Sequence, residues 1–113
     1  MFSKREAFEE FRAAMNEKIL GADNRSIKRF FALDDRVYES NHLSRKTKEM
    51  LGLCASLVLR CDDCITYHLI QCQDAGIEYD ELFEVFAIAL IVGGSIVIPH
   101  LRRAVDTWED LNG

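Results

Sequence analysis

Proline occurs once in the 113 residues, at Pro99, and glycine six times, so no Pro-rich or Gly/Ser-rich linker divides the chain. No internal repeat is present either, and the expectation is one domain over residues 1–113 with one core. Positive charge is in deficit. Fourteen Lys+Arg against nineteen Asp+Glu leave a formal charge of -5, the reverse of the basic surface that a phosphate backbone requires, which sets nucleic acid aside as a partner. Long apolar runs are also missing: the longest, 85–99, is broken by Gly93, Gly94 and Ser95 and falls short of the roughly 20 residues of a membrane span. No membrane partner is expected. Four cysteines are too few and too unevenly placed for a disulfide-stapled scaffold, and Met1 to Glu6 carries no apolar leader stretch. The expected location is cytoplasmic.

What is present is helical periodicity. Ser3-Lys4-Arg5-Glu6 fits a capping box ahead of Phe8, Phe11, Met15 and Ile19, with a stop at Gly21. A second helix is expected from near Ser26 through Ile27, Phe30, Phe31, Val37 and Tyr38 to the polar break Ser40-Asn41-His42. From Ser44 a third places Thr47, Met50, Leu51, Cys54, Leu57 and Val58 on one face. The fourth follows Cys61-Asp62-Asp63-Cys64, carries Ile65, Leu69 and Cys72, and closes at Gly76, a residue suited to the left-handed position after a helix. Asp80 reads as the cap of a fifth through Leu82, Phe83, Phe86, Ala87 and Leu90, and a sixth runs from about Ser95 to Leu111 with Leu101, Val105 and Trp108 on its stripe. The prediction is an all-α fold of about six helices. Because the fifth is apolar nearly all round from Val85 onward, the protein is expected to be oligomeric.

The chemistry concentrates at Cys61-Asp62-Asp63-Cys64, with His68 four residues beyond and Glu49 twelve before. Two thiols three apart at a helix start can touch, and the unpaired N–H groups there stabilise a thiolate. His68 lies one turn past Cys64, about 6 Å along the axis, and is the natural general base. If the third and fourth helices form a hairpin around Arg60, Glu49 lies near the level of His68 and can orient the imidazole. Asp62 and Asp63 act against a thiolate, whereas Arg60 and the helix dipole act for it; Cys64, nearer His68, is the expected activated thiol. A zinc site built from all of Cys61, Cys64, His68 and Cys72 fails on length, since Cys61 and Cys72 on one helix are about 16 Å apart, which leaves at most two or three of them to share a metal. No metal or organic cofactor is expected. Cys54 and Cys72 fall in apolar stripes and read as core, His42 reads as solvated, and His100 as either a capping contact or a site residue.

This constellation resembles the carboxymuconolactone decarboxylase superfamily, in its AhpD-like alkylhydroperoxidase branch. The matching pattern is Glu49, eleven residues, Cys61, two residues, Cys64, three residues, His68. The likeness continues through Asp74-Ala75-Gly76, the acidic segment from Glu78 to Glu84, and Gly93-Gly94 to His100 and Trp108, covering roughly 43–111. The resemblance implies an all-α fold assembled as a homotrimer or homohexamer, and peroxide reduction by a thiol–disulfide cycle. It further implies that Cys64 is the peroxidatic thiol, Cys61 the resolving one, and His68 with Glu49 the proton relay. The reductant it implies is a dithiol such as a lipoyl protein, with a partner peroxiredoxin as another recipient of electrons. One departure stands out: Asp63 occupies the place of a histidine in the best-understood member. The decarboxylase branch lacks the Cys pair. Lactone chemistry by His68 and Glu49 as acid and base, or a non-catalytic oligomeric helical binding protein, are the alternatives.

Overall fold

The computed structural model describes residues 3–113, which form six α-helices: α1 Lys4–Gly21, α2 Arg25–Val37, α3 Arg45–Leu59, α4 Asp62–Asp74, α5 Tyr79–Gly93 and α6 Ile98–Asn112, with a 3-10 turn Ser95–Val97 before the last. Among the described residues there is no strand, as the periodicity predicts, and no helix is long and apolar enough to cross a membrane. Two compact units divide the chain after Glu39.

The first unit holds α1 and α2. Ser3 caps α1 by accepting the Glu6 N–H at 3.1 Å, and Asn24 caps α2 by accepting the Ile27 N–H at 3.0 Å, so α2 starts a residue before the expected Ser26. The reversal between them is made at Asp23, whose φ of 60° is left-handed, and not at Gly21, which remains helical. Asp tolerates that region because its short side chain bonds locally, and here it pairs with Lys28. Neither helix contains a buried residue; Phe11 and Phe30 are each about two-thirds exposed.

The second unit holds the core. Leu53 and Leu57 of α3, Ile65, Leu69 and Cys72 of α4, Leu82, Phe86 and Ala89 of α5, and Ala104 and Trp108 of α6 form one buried cluster. Side-chain ties fix the helix directions. Glu49 meets His68 and Arg45 meets Gln71, so α3 and α4 are antiparallel. Asp62 meets His100 and Arg103 while Gln73 donates to the Leu111 carbonyl at 2.9 Å, so α4 and α6 are parallel and pinned at both ends. Lys46 pairs with Glu81 at 3.1 Å and ties α3 to α5. The backbone N–H of Glu78 and then Lys46 hold the Glu81 carboxyl below its ordinary range.

Three expectations about helix faces and caps need correction. On α3 the buried line is Glu49, Leu53, Ser56 and Leu57, while Leu51 is exposed. Burial of the polar pair is satisfied locally for Ser56, whose hydroxyl donates to the Gly52 carbonyl at 2.7 Å; hydrophobic spacing alone could not place it inward. On α5 the inward residues are Leu82, Val85, Phe86 and Ala89, with Phe83 and Ala87 exposed. Its cap is Glu78 and not Asp80, with Glu81 accepting the Glu78 N–H at 3.0 Å. Gly76 takes the left-handed φ of 80° after α4, as predicted, whereas Gly94 after α5 combines φ 83° with an extended ψ of -175°, a conformation open to glycine.

Candidate active site

The hairpin that builds the site turns at Arg60, which adopts left-handed φ 60° and ψ 42° and donates its N–H to the Leu57 carbonyl. Its neighbour Cys61 donates its N–H to the Ser56 carbonyl at 3.1 Å and takes the N-cap position of α4. There its Sγ accepts the Cys64 N–H at 3.3 Å. One turn of helix returns Cys64 to the same side, and the two sulfurs are joined as a disulfide with Cα atoms 5.3 Å apart. Cys64 is exposed and Cys61 half-buried.

Behind the pair lies a buried carboxylate–imidazole contact. Glu49, fully buried on α3, accepts from Nδ1 of buried His68 on α4 at 2.8 Å. A carboxylate can only accept, so Nδ1 carries the hydrogen of this contact. The second carboxylate oxygen of Glu49 is buried with no hydrogen-bond partner among the described residues, and the Arg45 guanidinium approaches it at 3.5 Å. Arg45, half-exposed at the start of α3, thus carries counter-charge from the surface to the interior. Its signal was a basic residue four before an acidic one on a helix, but the hydrophobic stripe drew the reading elsewhere.

The first acidic residue between the cysteines is paired as well. Asp62, the first residue of α4, accepts from His100 Nδ1 at 2.8 Å and from Arg103 Nε at 3.1 Å, both on α6. Burial pushes its carboxyl up, but the hydrogen bonds from His100 and Arg103 and their charge outweigh this and hold it below its ordinary value. His100 of α6 is thereby held against the first residue of α4. Arg103 was not singled out from sequence, and only the three-residue offset from His100 could have pointed to it.

The remaining thiols differ in kind. Cys72 is fully buried in the core, and burial followed by the charge of Glu49 pushes its thiol up to about 12. Cys54 is half-buried, with its thiol also raised by burial. It lies in an apolar groove of about 320 Å³ between α3 and α5, lined among others by Met50, Leu51, Val85 and Ile88. His42 is exposed in the segment before α3. Among the described residues no three His, Cys, Asp or Glu side chains are grouped to hold a metal.

The model of the carboxymuconolactone decarboxylase family matches residues 25–107. The chain belongs to that family. Two crystal structures of one Thermotoga maritima protein superpose with TM-scores of 0.91 and 0.90, at 56% and 55% identity, covering 94% of this chain and 93% and 90% of theirs. That protein is a carboxymuconolactone decarboxylase family member for which involvement in an antioxidative response has been suggested. A family member from Legionella pneumophila, 22% identical with a TM-score of 0.72 over 95% of this chain and 88% of its own, shares the fold. Among curated proteins, an uncharacterised product of the cox locus of Paracoccus denitrificans is 21% identical over 84 residues, 74% of this chain and 76% of its own. Within the family frame, the helices that carry Glu49, the Cys pair and His68 all lie inside the matched span.

Proposed function

We propose that this carboxymuconolactone decarboxylase family protein is a thiol-dependent peroxidase or disulfide reductase of the antioxidative kind. The observation that carries the reading is the exposed Cys64, disulfide-linked to Cys61, one helical turn from His68, whose Nδ1 is engaged by buried Glu49 at 2.8 Å. His68 takes the Cys64 proton at Nε2. The Cys64 thiolate attacks the distal oxygen of a hydroperoxide, breaking the O–O bond; the alcohol leaves with the proton from His68, and Cys64 is left as a sulfenic acid. Cys61 then attacks Cys64 sulfur, forming the S–S bond and releasing water. A dithiol reductant returns two electrons and two protons by exchange, itself becoming a disulfide. A lipoyl protein is one such reductant, and a partner peroxiredoxin is an alternative recipient of the electrons. The cycle suits a reducing compartment, hence a cytoplasmic location.

A stoichiometric pulse of hydroperoxide on the reduced protein, quenched by alkylation and read by mass spectrometry, tests the proposal. The Cys61–Cys64 disulfide should form well before Cys54 or Cys72 is modified. Cys72 provides an internal reference: with its thiol at about 12, only about one part in 10⁵ is thiolate at pH 7. Oxidation of the pair no faster than of Cys54 would remove the redox reading and bring acid–base chemistry at His68 and Glu49 forward.

Self-association, as a homotrimer or homohexamer, belongs to the same proposal. Ile88, Ile91 and Val92 project from α5 with exposures of 56%, 85% and 67%, and a contiguous apolar surface of this kind favours a protein partner. Light scattering at micromolar concentration is expected to return a multiple of the 13.0 kDa chain mass; a single-chain mass refutes the assembly.

A further inference from the structure

A carboxylate one residue from a reactive sulfur is a liability, because a nearby negative charge opposes thiolate formation. Asp62 and Asp63 both stand between Cys61 and Cys64, yet the structure treats them differently. Both oxygens of Asp62 are taken up from α6, Oδ1 by His100 Nδ1 at 2.8 Å and Oδ2 by Arg103 Nε at 3.1 Å. Arg103 Nη2 also lies 3.1 Å from His100 Nδ1. A single ring nitrogen cannot give its hydrogen to the carboxylate and accept one from the guanidinium as well. Since the carboxylate can only accept, Nδ1–H belongs to Asp62, and Arg103 acts on the same carboxylate through Nε.

The residues that bear on this carboxylate are few. From α6 come His100 and Arg103; on the chain itself stand Asp63, next in sequence, and Arg60, two residues earlier at the end of α3. Among the described residues only the α6 pair bonds to it, and α6 is anchored beside α4 by Gln73 at the far end and by Ala104 and Trp108 in the core. The clamp is therefore built into a rigid helix pair.

We propose that His100 and Arg103 are positioning residues of the dithiol site, holding the Asp62 carboxylate toward α6 so that its charge does not oppose a thiolate at the adjacent cysteine pair. The inference rests on the thiol–disulfide reading above, and it assigns α6 a part in the chemistry that no sulfur contact reveals. Released from the clamp, Asp62 is free to swing toward the sulfurs. A unit charge at such short range in a partly exposed site moves a thiol by about one pH unit.

The test is the pH dependence of iodoacetamide alkylation of the reduced protein, resolved by cysteine with mass spectrometry, for wild type, Arg103→Gln, Asp62→Asn and the double variant. Arg103→Gln should raise the more acidic thiol of the pair by about one unit, which is about tenfold slower alkylation at neutral pH. In the Asp62→Asn background the same substitution should change it by less than about a third of that, because the charge it unmasks is gone. An equal shift in both backgrounds overturns the proposal, since Arg103 would then act by its own charge or by seating α6; so does no shift in either. His100→Gln, which removes the imidazole bond to Asp62 Oδ1, repeats the comparison should Arg103→Gln not fold. Failure of the underlying reading looks different: neither Cys61 nor Cys64 of the wild type would alkylate faster than Cys54, which overturns both.

Discussion

Replacing Cys64 by serine should abolish peroxide-driven disulfide formation, whereas Cys61→Ser should still consume one equivalent of hydroperoxide and stop with the oxidised sulfur on Cys64. The asymmetry comes from placement. Cys64 is exposed and sits one turn from His68, while Cys61 is half-buried and uses its sulfur to cap α4. A cap position also favours a thiolate, because the Cys64 N–H and the helix dipole point at it. On the proposed cycle the two sulfurs are therefore activated by different means, Cys64 by a base and Cys61 by backbone. That suits a sequence in which Cys64 meets peroxide first and Cys61 attacks second. Mass spectrometry of the two single variants, with a sulfenic-acid trap, reads the order directly, and a trapped sulfenic acid on Cys61 in Cys64→Ser would reverse it. Turnover of a lactone by the double Cys61→Ser, Cys64→Ser protein would instead move the chemistry onto His68 and Glu49 alone.

Loss of the base should cost nearly as much. His68→Gln is expected to slow Cys64 oxidation at neutral pH by 100-fold or more, within the 10²–10⁴ range typical of a positioned acid–base group. Glutamine is chosen because alanine would strand the buried Glu49 carboxylate, a defect of about 3–5 kcal/mol that would confuse rate with folding. The pH profile separates roles. Without its base, Cys64 must ionise by itself, so the variant's rate should rise about fifteenfold between pH 7 and about 8.5, the value of a free thiol, narrowing the deficit without closing it. A deficit that stays constant with pH would mean that His68 only shapes the site. Glu49→Gln, which keeps the volume and one acceptor for Nδ1–H, should lose less than His68→Gln and show the same recovery; stopped-flow peroxide consumption measures both.

The helices themselves were largely legible because their signals are local. Ser3 and Ser44 act as caps, Gly76 turns the chain where its missing Cβ allows, and the stripe of α6 with Trp108 runs as its spacing suggests. The spacing of Glu49, Cys61, Cys64 and His68 also announced which residues to watch, and the structure brings Glu49 to His68 and Cys61 to Cys64. Faces were harder. Hydrophobic spacing rotates α3 toward Leu51, because it has no way to know that a carboxylate will be buried against an imidazole nineteen residues away. The pairing of Asp62 with α6 was invisible for the same reason. Asp62 reads as a charge beside the sulfurs, and only the parallel setting of α6 shows that His100 and Arg103 answer it. The hairpin was expected around Arg60, but its left-handed conformation there carried no local signal, since an arginine in that region is decided by the tertiary reversal and not by local preference.

Cys61 holds two offices that pull on each other. Its sulfur closes the covalent bridge and also accepts the Cys64 amide hydrogen at the head of α4. In the bridged form the opening turn of that helix is locked by a ring of covalent bonds. Once the bridge is reduced, the same turn depends on a sulfur lone pair, a weak acceptor as a thiol and a stronger one as a thiolate. On the proposed cycle, the redox state of the pair is therefore translated into how readily one helical turn frays.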